Sequence, residues 1–267
     1  MPITLRLKKK KTHLPRGTKY PIVLAPGLFG YNSKVLSYFL GISKYISSLG
    51  CEVTATTTET APIGKRAALL KTQVNDFSKK TGAEKVNIIS HSMGGLDSRY
   101  AISKLGLHEK VASLITIATP HHGTPVADWG MKRFTPLVRL LEKFMGTDPQ
   151  CFNDLTRESC KEFNDKVKNV EGVKYFTYSG SKEKSKTSPL LWPVYDLITR
   201  EEGENDGLVS VRSAKWQDSG NGVSYMGNFN ADHLNFMGWR IGLEITGSFD
   251  KRRFYRSLVE HLKRNDH

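Results

Sequence analysis

The sequence predicts an α/β fold in which a mostly parallel central sheet is flanked by helices. Short apolar runs with the length of buried strands alternate with longer segments whose apolar residues recur at helical spacing, as far as Pro120. This alternation of strands and helices is typical of parallel sheets. Such sheets carry their reactive residues in loops at the carboxyl ends of the strands.

The first half of the chain supplies four predicted strands and three predicted helices. Strand character comes from apolar or β-branched runs, which are YPIVLA (20–25), CEVTATTT (51–58), KVNIIS (85–90) and VASLITIAT (111–119). Helical spacing recurs in the segments between them, which are 35–49, 64–80 and 93–106. The chain has no internal repeat and no linker, so we expect one domain at 20–267 after a basic arm at 1–19.

The second half departs from the alternation. Amphipathic segments at 134–145 and 155–170 follow each other without a strand between them. We therefore expect a helical insertion over the sheet at about 125–160. The remaining predictions are a strand at 172–180, a polar loop at 181–206, a strand at 223–226 and a closing helix at roughly 250–264.

The chain is strongly basic, with 40 Lys and Arg residues against 26 Asp and Glu residues and a net charge of +14. This charge favours nucleic acid, an anionic membrane surface or an acidic substrate as a partner, or it is only the basic surface of a soluble enzyme. The sequence has no zinc-finger spacing, no RNP-like aromatic run and no glycine-rich phosphate loop, which argues against nucleic acid. Peripheral contact with an anionic lipid surface stays open.

The cysteines and the N-terminus bear on the compartment. The three cysteines lack the spacing of a disulfide framework or a zinc site, so reduced thiols in an intracellular protein are expected. No apolar run approaches the roughly 18 residues of a membrane span, and no signal-peptide core follows the N-terminal charges. We expect a cytoplasmic or peripherally lipid-associated protein. Mitochondrial targeting is the alternative, because the arm is basic and free of acidic residues.

A serine lies where a predicted strand meets a predicted helix, in NIISHSMGGLDSRY at 87–100. The stretch nearly matches the nucleophile elbow G-x-S-x-G, with Ser90 in place of the first glycine. The elbow is a sharp turn that requires small residues two positions before and after the serine, here Ser90 and Gly94, and Gly95 allows close helix packing. Ser92 is therefore the predicted nucleophile. The alternative is a helix entry without chemistry.

A serine nucleophile needs a base and an orienting acid, which follow it in the order acid, then histidine. His233, in the late loop NADHLNF, is the predicted base. His121 and His122 come directly after the strand next to the elbow, too early for this order. The other histidines after Ser92 lie in a polar turn or near the C-terminus, and they are His108, His261 and His267.

The predicted acid is Asp206 in ENDGLVS, where a carboxylate would hold the imidazole in the right tautomer. An Asx turn is the alternative role for this Asn-Asp-Gly sequence, and both roles are compatible. Asp97 is a weaker candidate because it lies on the helix that leaves the elbow. Asp232 adjoins His233 in the chain and so makes a poor side-chain pair with it. Asp196 is the reserve candidate.

Two backbone donors are expected to stabilise an oxyanion. The loop APGLFG follows the first strand, where Gly27 lets the backbone approach closely and the N–H of Leu28 would donate. The second donor is the N–H of Met93, directly after the serine. A simple Pro-Gly turn is the alternative for the first loop.

Five blocks of sequence resemble the bacterial true-lipase family of the Pseudomonas and Proteus type and its fungal relatives. In order, over roughly 20–240, they are YPIVLAPGLFGYNS, VNIISHSMGGLDSRY, ITIATPHHGTPVADW, NDGLVS and ADHLNFMGW. The resemblance implies an α/β-hydrolase fold, triacylglycerol hydrolysis and a mobile helical lid within 125–160. The nucleophile, acid, base and two oxyanion donors of the family fall on Ser92, Asp206, His233, Leu28 and Met93.

Two departures from the family pattern matter. The usual His-Gly of the oxyanion loop is Pro26-Gly27 here, which removes a bracing side chain but not the donor N–H. Relatives with a structural calcium carry Asp two residues and Gln six residues after the histidine, where this chain has Asn235 and Trp239. Calcium favours several oxygen ligands, usually including carboxylates, so no metal site and no cofactor is predicted.

The sequence thus predicts a serine hydrolase acting on acylglycerols, with the amphipathic segment 134–145 covering an apolar cleft. Ordinary core packing is the alternative for that segment. A soluble short-chain esterase or an acyltransferase would use the same triad, and the fold does not separate them. A non-catalytic lipid-binding protein on the same fold is the alternative from another class.

Overall fold

A parallel six-stranded sheet forms the centre of the computed structural model, in the order β2-β1-β3-β4-β5-β6. The structure describes residues 17–28, 30, 37–133, 150–216, 222–240 and 249–267. The strands are β1 Ile22–Ala25, β2 Val53–Ala55, β3 Val86–His91, β4 Val111–Ile117, β5 Lys174–Ser181 and β6 Val223–Asn230. Each neighbouring pair is parallel, so the predicted α/β architecture is confirmed.

Ten α-helices are present in the described part of the chain. Their bounds are α1 Ile42–Ser48, α2 Ile63–Thr81, α3 Gly94–Lys104, α4 Pro125–Arg133, α5 Gln150–Asn153, α6 Arg157–Lys166, α7 Trp192–Glu202, α8 Val211–Ala214, α9 His233–Phe236 and α10 Lys251–Arg264. Residues of α1 and α10 pack on one face of the sheet, and residues of α2 and α3 pack on the other. Both faces are therefore covered, which explains why β3 and β4 are buried throughout.

The order of the strands places a crevice next to β1. From β1 the chain moves outward to β2, and it then returns to the opposite side of β1 to form β3. Ligands of open α/β sheets bind where the strand order reverses in this way, beyond the carboxyl ends of the strands. The loop after β1 and the turn after β3 are thus brought together at that edge.

Most predicted elements are confirmed, but the polar loop predicted at 181–206 is wrong. The helix α7 spans eleven residues of that stretch. It begins with a proline in its first turn, where the missing N–H does no harm, and it buries only Ile198 fully. Little of this helix is buried, and Pro193 and the preceding Pro189 resemble turn signals in the sequence.

The predicted insertion is described only in part. The helix expected at 155–170 is present as α6, whose Thr156 side chain accepts a hydrogen bond from the Ser159 N–H at the amino end. The amphipathic segment 134–145 lies outside the described residues, as does the arm at 1–16, so the lid stays a prediction. Within the described residues, no helix combines the length and hydropathy needed to cross a bilayer.

Candidate active site

Ser92 occupies a strained turn between β3 and α3. Its backbone has a φ of 56°, a left-handed conformation that non-glycine residues adopt rarely. Two hydrogen bonds with the end of the neighbouring strand β4 hold the turn. Ser92 N–H donates to the Ile117 carbonyl at 3.0 Å, and Thr119 Oγ1 donates to the Ser92 carbonyl at 2.8 Å. Strain of this kind persists only where the surroundings enforce it, and it is concentrated at functional sites.

The small residues around Ser92 are required by close contacts. A Cβ on Gly94 would lie 2.5 Å from the Pro26 carbonyl oxygen, and one on Gly95 would collide with the Thr119 side chain. Ser90 is fully buried, and its Oγ donates to the Ile115 carbonyl at 3.2 Å. A serine in place of the first glycine is thus accommodated with its hydroxyl hydrogen-bonded.

Asp206 and His233 form a buried pair at the same edge of the sheet. His233 Nδ1 lies 2.7 Å from Asp206 Oδ2, and the His233 N–H donates to the Asp206 carbonyl at 2.9 Å. The other carboxylate oxygen accepts the N–H groups of Leu208 and Val209 at 2.9 and 2.8 Å. The Asx turn and the pairing with histidine therefore coexist at Asp206. Because a proton on Nδ1 is directed to the carboxylate, Nε2 is the basic nitrogen of His233.

His91, directly before Ser92, is a neighbour that sequence reasoning missed. Its ring centroid lies 4.5 Å from that of His233, and its Nδ1 lies 2.7 Å from the Tyr38 hydroxyl. Burial, and then the proximity of His233, hold the pKa of His91 well below its usual value, so the ring is neutral. The chain order expected of a triad points only to histidines after the serine. The signal for His91 is its place at the carboxyl end of a buried strand, next to the elbow.

Tyr38 links His91 to the loop after β1. Burial raises the pKa of the Tyr38 phenol, so the hydroxyl stays protonated and donates a hydrogen bond to His91 Nδ1. The same oxygen accepts a hydrogen bond from the Gly27 N–H. A Cβ on Gly27 would lie 2.7 Å from both the Tyr38 hydroxyl and Ser92 Cβ. Glycine at 27 thus allows the backbone before Leu28 to lie against the serine.

The two residues expected to donate to an oxyanion flank this contact. Leu28 directly follows Gly27, and its side chain packs against the cluster that contains Met93. Met93 is the N-cap of α3, so its N–H belongs to the positive end of that helix. The two loops therefore present candidate donors on either side of Ser92.

The rival carboxylates are engaged elsewhere. Asp97 forms a buried ion pair with Arg66, with Oδ2 2.7 Å from Nη2, although burial raises the pKa of Asp97 to about 6. The Asp232 side chain caps α9 through the N–H groups of residues 234 and 235. Asp196 forms a surface ion pair with Lys184. None of the three contacts the imidazole of His233 in a hydrogen bond among the described residues.

The two histidines after β4 also lie away from this pair. His121 is buried, stacks on Trp216 with ring centroids 4.2 Å apart, and contacts the Thr116 hydroxyl and the Arg99 guanidinium. Burial lowers its pKa well below the usual value. The His122 N–H donates to the Ser213 hydroxyl at 3.1 Å. His121 thus has a packing role behind the site.

The positions that carry calcium ligands in relatives make protein contacts here. Asn235 Oδ1 accepts hydrogen bonds from the Asp232 N–H and from Lys182 Nζ, and Trp239 Nε1 donates to the Ser37 carbonyl at 3.2 Å. No group of three or more His, Cys, Asp or Glu residues in the described ranges is arranged to hold a metal ion.

Comparison with known proteins gives consistent results. Residues 53–194, more than half of the chain, match the PGAP1-like alpha/beta domain family. Triacylglycerol lipase 2 of Saccharomyces cerevisiae is 33% identical over 234 residues, which cover 84% of this chain and 68% of the yeast protein. A triacylglycerol lipase of Vibrio cholerae is 28% identical over 285 residues, covering 92% of this chain and 88% of the relative.

Solved structures with the same fold include bacterial lipases. The mature lipase BlEst2 of Bacillus licheniformis has a TM-score of 0.72 at 21% identity, and the alignment covers 93% of both chains. The Staphylococcus hyicus lipase has a TM-score of 0.73 at 19% identity, with 93% and 96% of the two chains covered. The α/β-hydrolase fold expected from the resemblance is confirmed, and the chain belongs to the PGAP1-like alpha/beta domain family as a lipase-type α/β hydrolase.

Proposed function

We propose that this enzyme hydrolyses the carboxylic esters of acylglycerols, as a triacylglycerol lipase, with Ser92, His233 and Asp206 as its triad. The observation that supports this assignment is the buried pair of His233 and Asp206, at the same edge of the sheet as the strained turn of Ser92. The relatives in yeast and Vibrio are both named triacylglycerol lipases. Strain at a serine, a polarised imidazole and backbone donors are the parts that acyl transfer needs.

The reaction proceeds in two halves. Ser92 Oγ attacks the ester carbonyl while His233 Nε2 takes the hydroxyl proton, and Asp206 stabilises the imidazolium. The N–H groups of Leu28 and Met93 stabilise the oxyanion. His233 then protonates the leaving alcohol, which leaves an acyl-enzyme. Water attacks the acyl-enzyme, gives its proton to His233, and releases the fatty acid as His233 returns the proton to Ser92.

We also propose that the carboxyl edge of the sheet docks on an anionic lipid surface. Leu190 and Trp192 are 68% and 42% exposed, and they flank Leu191, which packs against the glycine that follows Asp206. Exposed Arg252 and Arg253 lie in the first turn of α10. The first residue of this helix, Lys251, donates to the Gly238 carbonyl, and Gly238 lies a few residues after His233. Apolar side chains near cations beside the site suit a surface of anionic lipids. The net charge of +14 acts in the same direction.

We propose that the protein is intracellular. All three cysteines are buried thiols, as expected for a reducing environment.

The activity is tested by measuring hydrolysis of short- and long-chain acyl esters, both as monomers and as emulsions, with Ser92→Ala as the control. We expect turnover that rises at an oil–water interface and is lost in the variant. Turnover of short monomeric esters without a gain at the interface would identify the short-chain esterase instead, and acyl transfer to an added alcohol would identify the acyltransferase. Absence of turnover on every ester would refute the enzyme assignment.

Docking is tested separately by co-sedimentation with vesicles. The doubly substituted Leu190→Ala/Trp192→Ala protein is expected to bind anionic vesicles more weakly than the wild type. Met226→Ala is the matched control, because Met226 is 37% exposed in the middle of the edge strand β6. Equal loss in both variants, or equal binding to zwitterionic vesicles, would contradict the docking surface.

A further inference from the structure

Lys182 is a lysine buried next to the candidate site. It follows β5 directly at the carboxyl edge of the sheet, and it is only 6% exposed. Lysine is almost never buried to this degree unless its charge is paired, because removing an ammonium group from water is costly. Its Nζ donates to Asn235 Oδ1 at 3.2 Å, and Asp232 attracts the same charge. The ammonium therefore lies beneath the loop that carries His233.

The contact of Lys182 is with the cap of α9, the four-residue helix that begins at His233. Asn235 Oδ1 also accepts the Asp232 N–H at 3.1 Å, and Asp232 Oδ1 accepts the Asn235 N–H at 2.9 Å. Asp232 Oδ2 accepts the Ser188 N–H at 2.9 Å. So short a helix has little stability of its own, and its position depends on these capping bonds. Lys182 ties the cap to the end of β5.

The backbone of Lys182 holds the neighbouring loop. Its N–H donates to the Asn205 carbonyl at 3.2 Å, and Asn205 directly precedes Asp206. Its carbonyl accepts a hydrogen bond from the Tyr195 hydroxyl at 2.7 Å. One residue thus contacts both the segment that carries Asp206 and the segment that carries His233.

The charge of Lys182 offsets a cluster of buried carboxylates. Asp206 and Asp232 are both almost fully buried, and their mutual repulsion adds to the burial that raises the pKa of Asp232. Lys182 acts against this effect on Asp232. Burial of the amine lowers the pKa of Lys182, Asp232 acts to raise it, and the nearby positive charge of Arg240 lowers it further.

We propose that Lys182 is a positioning residue of this site, which holds the Asp206 and His233 segments together and balances their negative charge with an internal ammonium. This inference rests on the proposed function, because it takes His233 as the general base. Among the described residues, the titratable groups closest to His233 are Asp206 from the preceding loop, His91 from β3 and its chain neighbour Asp232, whose side chain caps α9. Lys182 places a buried positive charge beside these groups, and a single substitution removes that charge.

The test is the pH dependence of kcat/KM on a monomeric short-chain ester for Lys182→Met, Lys182→Gln and Lys182→Arg. Loss of a nearby positive charge favours the imidazolium, so the acidic limb of the two neutral variants is expected to move up by roughly 0.5 to 1 pH unit. Lys182→Arg keeps the charge and should keep the limb of the wild type. The control is Lys174→Met, which removes an exposed lysine at the other end of β5 and should leave the profile unchanged.

A second measurement does not depend on turnover. NMR titration of labelled histidines, with His233 assigned from His233→Gln, should show the same upward shift in the pKa of His233 in Lys182→Gln. A merely structural role would lower stability in all three variants without moving this titration. Unchanged His233 titration in Lys182→Gln, or an equal shift in Lys182→Arg, would overturn the proposal. Absence of ester hydrolysis in the wild type would instead refute the proposed function. The NMR titration would then still show whether the charge of Lys182 acts on His233.

Discussion

The imidazole of His91 lies against the imidazole of His233, with ring centroids 4.5 Å apart and planes inclined by 50°. Two histidines this close cannot both be protonated without repulsion. Burial keeps His91 neutral, and its Nδ1 accepts a hydrogen bond from the Tyr38 hydroxyl. His233 instead faces the Asp206 carboxylate, which stabilises a positive ring. The surroundings therefore assign the proton-carrying role to one member of the pair.

Substitution of Tyr38 tests this assignment. Tyr38→Phe leaves Nδ1 of buried His91 and the Gly27 N–H without the hydroxyl they share. We expect the free energy of unfolding to fall by about 1 to 3 kcal/mol and kcat on a short ester to fall by about tenfold. Tyr45→Phe is the matched control, because the Tyr45 hydroxyl bonds the exposed Arg256 on the protein surface. Equal activity in the two variants would separate Tyr38 from the site.

The two serines of the elbow should respond in opposite ways. Ser92→Ala removes the nucleophile, and we expect kcat to fall by at least about a thousandfold at unchanged stability. Ser90→Gly removes a buried CH2OH side chain, whose hydroxyl donates to the Ile115 carbonyl, but no group of the triad, so activity should persist with a loss of about 0.5 to 1.5 kcal/mol in stability. Steady-state kinetics and urea unfolding measure both effects. Full activity in Ser92→Ala would contradict the triad.

The close packing of the elbow predicts that glycine at 94 is irreplaceable. The Cβ of Gly94→Ala would lie 2.5 Å from the Pro26 carbonyl oxygen and 2.7 Å from that of Ala25, and these backbone atoms have little freedom to move. We expect loss of activity and a stability loss above about 2 kcal/mol. Gly64→Ala in α2 is the control, since nothing lies within 4 Å of its added Cβ, and it should be neutral or stabilising by up to about 1 kcal/mol. A fully active Gly94→Ala protein would show that the turn is not close-packed.

The buried histidines predict a loss of stability on acidification. Below about pH 6.5 the unfolded chain binds protons at His91 and His121, whereas the folded chain does not, because burial lowers both pKa values. The free energy of unfolding should therefore fall with pH, by up to about 1.4 kcal/mol per pH unit for each histidine. Asp97 opposes this between about pH 4 and 6, because its pKa of about 6 lies above the unfolded value.

Comparison with a variant isolates one histidine. Urea unfolding of the wild type and of His121→Gln between about pH 5 and 7.5 should give a shallower pH slope for the variant, since Asp97 acts equally in both proteins. Identical slopes would mean that His121 binds its proton in the folded state.

Much of the fold was predictable because its signals are local. Apolar runs of strand length identified β1, β3 and β4, and each was confirmed within two residues of its predicted bounds. The helix α7 was missed because Pro189 and Pro193 resemble turn signals and because little of its surface is buried. The strand β6 extends to Asn230, past the predicted 223–226. It lies at the edge of the sheet, where half-buried and exposed residues alternate along its whole length, so it lacks the continuous apolar run of a buried strand.

By itself, the sequence determined most of the strand and helix order, the strained serine turn and the small residues that the turn requires. These properties depend on residues adjacent in the chain, whose sizes and conformational preferences act locally. Only the tertiary structure decided which carboxylate lies beside His233, that His91 and Tyr38 join the site, and that the Lys182 ammonium is buried beneath it. Those contacts join residues far apart in sequence, and they depend on strand order and loop paths that no local pattern encodes.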